Sequence, residues 1–594
     1  MVTASIEAAF LGVERSAGGR RWTLRPADER AAGDIARRHD VSDAVARLLT
    51  ARGIGVDDAA DFLDPTLRRF LPDPAHLRDM DLAVARLARA VMDGEHVAVF
   101  GDYDVDGGTS SALLARFFRA LGRELAVYIP DRIKEGYGPN APALLALRER
   151  GIDVVVTVDC GISAFEPLER AAEAGLDVVV VDHHVAEARL PRACAVVDPN
   201  RLDDPSPHKQ LAAVGVAFLL VVGVNRALRE AGWYGAARPE PDLRRWLDLV
   251  ALGTVCDVVP LVGVNRALVR QGLRVMAERA NTGLAALADV AGVNEPPTAF
   301  HAGFLLGPRV NAGGRVGQAD LGARLLSSDD PVEAAALAAR LDALNAERRA
   351  IEAAVLDAAA MEIELAGDPP PVVVVARDGW HPGVIGIVAS RLVERFGRPA
   401  FVIGLDGDTG KGSGRSVRGV DLGAAVIAAR QAGLLVNGGG HTMAAGLTVA
   451  RDRLPELRAF LTAAIVAQDA DGDAGRVLTL DGALAPAAAT RKLIDDLERV
   501  GPFGAGNAEP RFALTAVRST WSRAVGTAHV RCTLVGGDGA RVNAIAFRAA
   551  GKPLGALLSD PASPALHVVG TLRLDRWNGR ENVTFHVEDA APAR

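Results

Sequence analysis

Gly101-Asp102-Tyr103-Asp104-Val105-Asp106-Gly107 follows the apolar run Val97 to Phe100, and three more stretches repeat the pattern of an acid just after β-branched residues. They are Val158-Asp159-Cys160-Gly161, Val181-Asp182-His183-His184 and Val255-Cys256-Asp257-Val258. Strands that end in carboxylates and alternate with helices gather those acids along one edge of a parallel sheet, where open α/β folds place their ligands. A hard divalent cation suits such an edge. The expected strands Val97 to Phe100, Leu125 to Ile129, Val154 to Val158 and Val178 to Val181 are separated by helical stretches such as Thr109 to Ala120 and Ser163 to Ala174, a spacing that fits right-handed βαβ units. Asp257 is reached through a helical section, Leu243 to Val255.

Working outward, 594 residues exceed one hydrophobic core and predict three or four domains. Residues 1–93 read as an N-terminal helical cap broken by Phe62-Leu63-Asp64-Pro65 and Leu71-Pro72-Asp73-Pro74, and 94–330 as the main α/β domain. Residues 331–366 form one long amphipathic helix, from Val332 to Glu364, stopped at Gly367-Asp368-Pro369-Pro370-Pro371. A smaller, glycine-rich α/β domain covers 367–468. In 469–594, after the polar stretch Asp469 to Gly475, five short strands (Arg511 to Val517, His529 to Val535, Arg541 to Phe547, Leu566 to Leu572, Asn582 to Val587) predict a small β-barrel of OB-fold type.

A net charge of −7 excludes a protein coated in basic surface, so any nucleic-acid binding has to use a local basic groove. Cys160, Cys194, Cys256 and Cys532 show no C-x-x-C spacing, which argues against a zinc knuckle or disulfide framework and predicts a reducing, cytoplasmic setting. Met1 to Gly19 lacks the pattern of a secretory signal, and Leu211 to Val224 is too short for a membrane span and reads as a buried helix, so no membrane partner is expected.

If strand-like, Asp102, Asp104 and Asp106 share a face before a turn at Gly107-Gly108, and two carboxylates can address two cations. Asp159 could instead cap a helix starting near Ser163. Of His183 and His184, one can ligate a metal while its neighbour meets phosphate or gives up a proton. Asp257 stands in an otherwise apolar segment and needs a metal or a basic partner. Oxygens with one or two imidazoles favour Mn²⁺ or Mg²⁺ over structural zinc, and two such ions about 4 Å apart can clamp a scissile phosphate. Gly410-Lys411-Gly412-Ser413-Gly414-Arg415-Ser416 and Gly438-Gly439-Gly440-His441-Thr442-Met443-Ala444 read either as loops offering backbone N–H groups to phosphate or as plain turns. His381 could touch phosphate or cap a helix, and Phe512, Trp521, Phe547 and Trp577 could stack on bases or fill the barrel core.

In order and spacing, Asp-Tyr-Asp-Val-Asp-Gly, Val-Asp-Cys-Gly, Asp-His-His and Cys-Asp-Val-Val-Pro resemble the RecJ single-stranded-DNA-specific exonucleases of the DHH phosphoesterase superfamily. The resemblance spans nearly the whole chain, including Gly438-Gly439-Gly440-His441 and the Pro502-Phe503-Gly504-Ala505-Gly506-Asn507 entry to the barrel. It implies a DHH-type parallel-sheet catalytic domain, a connecting helix, a DHH-associated substrate-binding domain and a C-terminal OB-fold. It further implies two divalent ions, Mn²⁺ preferred or Mg²⁺, held by Asp102, Asp104, Asp106, Asp159, His183 and Asp257. His184 would act beside the scissile phosphate together with Asp159, and Asp182 would orient a histidine. Arg132, Ser413 and Arg415 would take a 5′ phosphate; Arg309, Asn311 and Arg315 would lie near the DNA path; Gly439, Gly440 and His441 would serve the second lobe.

The activity so implied is 5′ to 3′ hydrolysis of single-stranded DNA to 5′ mononucleotides in recombination and repair, alongside single-strand-binding protein and a RecQ-type helicase. Two other readings are a DHH phosphodiesterase acting on short oligonucleotides or cyclic dinucleotides, and a noncatalytic DNA-binding scaffold. The cap and barrel, superfluous for a small substrate, stand against the first. The intact acidic and histidine motifs stand against the second.

Overall fold

The computed structural model describes residues 8–132, 134–468, 477–577 and 580–593, so the polar stretch Asp469 to Gly475 lies outside the described residues. The chain divides into two compact units, Thr66–Gln468 with Gly504–Asn507, and Met1–Pro65 with Asp469–Phe503 and Ala508–Arg594. The cap expected over 1–93 is therefore split between them.

In the first unit, β1 (Val97–Gly101), β2 (Leu125–Tyr128), β3 (Val154–Val158), β4 (Asp177–Val181) and β5 (Ala195–Val197) form a parallel sheet ordered β2-β1-β3-β4-β5. Alternation along each strand fills two cores: Val97, Val99, Val154, Val156, Val179 and Val181 face one side, Ala98, Phe100, Val155, Val178 and Val180 the other. Burial on both faces explains the near-continuous β-branched runs.

The helix after β1 starts earlier than expected. α1 spans Val105–Ala120, and Asp104 is its N-cap, with Oδ1 accepting from Asp106 N at 2.8 Å and Gly107 N at 3.1 Å. Asp102 to Asp106 are thus a strand exit and a first helical turn rather than an alternating strand. Gly107 is required there, because a Cβ would lie 2.4 Å from Asp102 O. Two further helices frame the sheet's acidic edge, α3 (Ala213–Glu230) and the almost wholly buried α4 (Leu247–Cys256); α2 is Phe165–Glu173.

α5 (Gly307–Val316) leads to α6 (Pro331–Leu365), a single 35-residue helix about 52 Å long, capped by Asp330. Beyond it lies a mixed sheet ordered β9-β10-β8-β7-β6, made of β6 (Val373–Asp378), β7 (Ala400–Asp406), β8 (Thr409–Arg415), β9 (Asn437–His441) and β10 (Ala444–Ala450), with helices α7 (Ile385–Phe396) and α8 (Leu422–Gln431). Both glycine-rich stretches, read from sequence as loops or turns, are strands here. A Cβ on Gly410, Gly412 or Gly414 would lie within 2.8 Å of Ile403, Leu447 or Phe401, so these glycines let large side chains lie against the sheet while Lys411, Ser413 and Arg415 take the other face.

In the second unit, β11 (Phe512–Val525), β12 (His529–Val535), β13 (Arg541–Ala546), β14 (Leu566–Trp577) and β15 (Arg580–Pro592) close in the order β11-β12-β13-β15-β14-β11, with β13 and β15 parallel. This is the expected OB-type barrel. Phe512 is in its core while Trp521 and Phe547 are exposed; the Trp577 side chain lies outside the described residues. Arg21–Leu24 pairs in parallel with Val477–Leu480. The buried carboxylate of Asp589 accepts from Ser16 Oγ at 2.6 Å, Gly18 N at 3.0 Å, Arg20 Nε at 3.2 Å and Trp22 Nε1 at 3.3 Å. Truncating a buried charged group that satisfies several donors costs about 3 kcal/mol. Asp589→Ala is therefore expected to unfold this unit at markedly lower denaturant than wild type, read by Trp fluorescence; an unchanged midpoint would remove the tether from the account.

Candidate metal centre

Each strand-end acid is the first residue past its strand, and its backbone N–H extends the ladder by one step. Asp102 N donates to Val158 O at 3.3 Å, Asp159 N to Val181 O at 3.1 Å, and Asp182 N to Val197 O at 3.0 Å. The sheet register thereby sets three carboxylates along one edge. Asp159 takes a left-handed backbone, φ 60°, and so does Val258, φ 62°, directly after Asp257. For a β-branched residue this costs about 1–3 kcal/mol, and such strain gathers at functional sites.

Asp106 projects from α1 to the amino end of α3, where Oδ2 accepts from Ala213 N at 2.7 Å and Oδ1 from Val214 N at 2.9 Å. Asp257 caps α4. Between them lies the His183 ring, with Nε2 3.3 Å from Asp159 Oδ1 and 3.9 Å from Asp106 Oδ2, and Nδ1 3.6 Å from Asp257 Oδ2. Three overlapping groups have ligand atoms that all approach within 4.8 Å of one another: Asp106 with His183 and Asp257, Asp102 with Asp104 and Asp159, and Asp159 with His183 and His184, which joins the first two. The sequence-derived ligand candidates are thus brought together in two adjacent triads linked through Asp159 and His183.

Burial and mutual repulsion dominate the electrostatics. Burial, then the neighbouring Asp104, pushes Asp102 up to about 8 and Asp257 to about 7. Asp106 and Asp159 rise well above the carboxylate range, through burial and then Asp257 for Asp106, and through burial and then Asp104 for Asp159. His183 is pushed down to about 4 by burial and then by the charge of His184, which keeps its ring neutral with a lone pair to give. Asp102 Oδ1, Asp257 Oδ2 and His183 Nε2 are buried without a hydrogen-bond partner. Orphaned acceptors facing one space, in an oxygen-rich donor set, fit a pair of Mn²⁺ or Mg²⁺ ions.

Asp182 does different work. Its Oδ1 accepts from His184 Nδ1 at 2.7 Å and from His183 N at 2.8 Å, and its Oδ2 from Ile162 N at 3.0 Å. Burial alone would raise its pKa, yet the hydrogen bond and charge of His184 hold it below the usual range. Burial would also lower His184, but Asp182 outweighs it and carries the imidazole to about 9, so His184 is a held imidazolium. Sequence reading missed three supports. The Tyr137 hydroxyl donates to Asp159 O at 3.0 Å, and Asn200 Nδ2 donates to His183 O at 2.6 Å. Asp198, buried after β5, accepts from Asn200 N at 2.7 Å and is itself raised to about 7 by burial and then Asp182. Val196-Val197-Asp198 repeats the strand-end acid pattern and was the available signal.

Three arginines gather beside the acids. Arg132 lies 5.0 Å over the Tyr103 ring; Arg315 donates to Gly383 O at 3.0 Å; Arg415 donates to Ser413 Oγ at 3.0 Å and Gly414 O at 2.8 Å. Arg315 is lowered to about 10 by burial and then by Arg132, and Arg415 is lowered by the same two causes. None of the three pairs with a carboxylate among the described residues. Gly386, near the amino end of α7, lies so close that a Cβ would stand 2.9 Å from Ser413 Oγ. Helix N–H groups and unpaired guanidinium groups together suit an anion. Arg309, by contrast, is tied to Asp342 on α6 at 2.8 Å, and Asn311 is half-buried on α5. Gly439 and Gly440 lie in β9, with His441 exposed at its end, and His381 Nδ1 closes its own turn by accepting from Gly383 N at 3.0 Å.

Unneutralised carboxylates in this cluster destabilise the chain by repulsion, which sets a sign that can be tested. In EDTA, Asp159→Asn is expected to melt a few degrees above wild type, a gain of about 1 kcal/mol, because asparagine tolerates the left-handed backbone and removes a desolvated charge. In saturating Mn²⁺ the order should reverse, since ligand binding stabilises only the chain that keeps its ligands. Calorimetry under both conditions decides; a variant melting lower in EDTA contradicts the repulsion.

Comparison with known proteins gives three family matches, the DHH family N-terminal domain over residues 96–254, the DHHA1 domain over 370–467 and the RecJ OB domain over 480–589. The single-stranded-DNA-specific exonuclease RecJ of Bacillus subtilis is 34% identical over 580 residues, 96% of this chain and 71% of that protein. That of Escherichia coli is 38% identical over 516 residues, 84% of this chain and 88% of that protein. The crystal structure of Thermus thermophilus RecJ in complex with Mn²⁺ superposes with a TM-score of 0.79 at 31% identity, covering 96% of this chain and 79% of that one. With its acid-lined sheet edge, second glycine-stranded lobe and closed barrel all matched by relatives of this similarity, the chain belongs to the RecJ family of single-stranded-DNA-specific exonucleases.

Proposed function

We propose that this protein degrades single-stranded DNA from the 5′ end, releasing 5′ mononucleotides by two-metal phosphodiester hydrolysis. The observation that carries the reading is the adjacency of two ligand triads to an arginine cluster with no carboxylate partner among the described residues. Asp106, His183 and Asp257 would hold one ion and Asp102, Asp104 and Asp159 the other, with Mn²⁺ preferred or Mg²⁺. When bound, the ions supply charge neutralisation at the scissile phosphate and a water acidified for attack.

The chain's own groups do the rest. Asp182 holds His184 protonated and oriented, so that His184 presents positive charge to a phosphoryl oxygen and can give its Nε2 proton to the departing oxygen. Tyr137 and Asn200 fix the carbonyls of Asp159 and His183 and hence the ligand geometry. Arg132, Arg415 and Ser413, with Arg315 between the lobes, would grip a terminal phosphate bidentately, and a phosphate held at one end of a path gives direction to cleavage. Asn311, Gly439, Gly440 and His441 would line the path; Arg309, already paired, would act by fixing α5 to α6. The family likeness supports extending the proposal to a role in recombination and repair, in the cytoplasm, with single-strand-binding protein and a RecQ-type helicase supplying unwound strands.

The test is digestion, in Mn²⁺, of matched single- and double-stranded oligonucleotides labelled at either end. Immediate release of a 5′-labelled mononucleotide from single strands alone, abolished by Asp159→Ala, is the expected result; turnover of dinucleotides only would overturn it. Arg415→Ala should lose on the order of tenfold or more of the preference for 5′-phosphorylated over 5′-hydroxyl strands, as loss of a charged hydrogen bond predicts.

A further inference from the structure

Phe300 and Phe304 stack on each other, with ring centroids 5.2 Å and planes 25° apart, yet remain 49% and 71% exposed. A contiguous exposed aromatic pair offers π faces to a ligand. Phe304 lies within, and Phe300 directly before, the π-helical segment His301–Leu306, which runs into α5. Such wide turns are rare and cluster at functional sites. The segment is fixed to the end of α4: Cys256 Sγ donates to Ala302 O at 3.5 Å, and a Cβ on Gly303 would lie 3.3 Å from Val255 Cγ1. It therefore abuts the two residues that precede Asp257.

The wide turn keeps Phe300 and Phe304 in one row. The 3.6-residue period then carries that row through Pro308 to Arg315, with Asn311 beside it, over about 16 Å of helix. The phenylalanines are open to solvent, whereas Pro308, Asn311 and Arg315 further along the row are half-buried. One end of the row offers π faces and the other an unpaired cation in the arginine cluster. A strand with a terminal phosphate and unstacked bases complements both ends at once.

We propose that Phe300 and Phe304 form a base-stacking step for the part of a single strand that has not yet reached the metal centre. This rests on the single-stranded-DNA reading above and adds to it a named subsite. Every base has a π face, so the step is indifferent to sequence. A paired base keeps its faces against its neighbours in the duplex, so the step also contributes to preference for single strands.

The experiment uses the full chain and a 5′-phosphorylated single strand of about twenty nucleotides, with single abasic positions walked along it. Loss of one stacked base costs on the order of tenfold. Phe304→Ala and Phe300→Ala/Phe304→Ala should raise KM by about that factor with kcat changed less than twofold; Phe304→Trp should restore KM and Phe304→Leu should not. In wild type one abasic position should raise KM similarly, and that penalty should vanish in Phe304→Ala. Unchanged melting of the variants, expected from their exposure, keeps folding out of the comparison. Unaltered KM with an unaltered abasic penalty overturns the step, as does full rescue by leucine or loss of self-association as the sole effect. A wild-type protein that leaves single strands intact overturns the functional reading itself, and the two failures are told apart by that control.

Discussion

Six acids set around one buried space repel each other, and the surrounding architecture is arranged to hold them against that repulsion. Backbone N–H groups answer part of the charge: the first turn of α1 serves Asp104, the amino end of α3 serves Asp106, and Ile162 and His183 serve Asp182. The remaining acceptors, Asp102 Oδ1 and Asp257 Oδ2, have no donor, and the adjacent His183 nitrogen has none either. Leaving these ligand atoms unanswered trades stability for readiness to bind cations.

The same division separates the two histidines that stand next to each other in sequence. His183 is driven neutral by burial and then by the charge of His184, while His184 is driven cationic by its hydrogen bond and proximity to Asp182. Adjacent residues thereby acquire opposite chemical characters from their surroundings alone. The protein's overall negative charge is no obstacle to an anionic polymer, since Arg132, Arg315 and Arg415 stand beside the acids without a carboxylate partner among the described residues, and the field that matters is local.

The main sheet was legible because its strands are buried on both faces and so read as unbroken β-branched runs, and the barrel because its strands alternate. The strand-end acids were legible for the same reason: each is the first polar residue after such a run. What local pattern could not reveal is where a helix starts in competition with a strand. α1 starts at Val105, capped by Asp104, four residues before the start at Thr109 that sequence suggested, since an aspartate shortly before a glycine pair serves a turn and a first helical turn equally well. Glycine misled in the second lobe, where the residues in β8 are small to admit Phe401, Ile403 and Leu447, a fact that belongs to the neighbouring strands and not to the stretch itself. Arg309 looked like Arg315 in the sequence; its pairing with Asp342 depends on how α5 crosses α6.

The tether from Asp589 to Ser16, Gly18, Arg20 and Trp22, with the parallel pairing of Arg21–Leu24 and Val477–Leu480, joins the two far ends of the chain inside one unit. During synthesis the early segment is made long before its partner strands exist. The intervening 66–468 stretch, which forms a compact unit with Gly504–Asn507, can close most of its core while the opening residues still lack their partners. Assembly of the barrel unit is consequently the last step and waits on the final strand, so an interrupted chain would carry a finished acidic centre and an unfinished barrel.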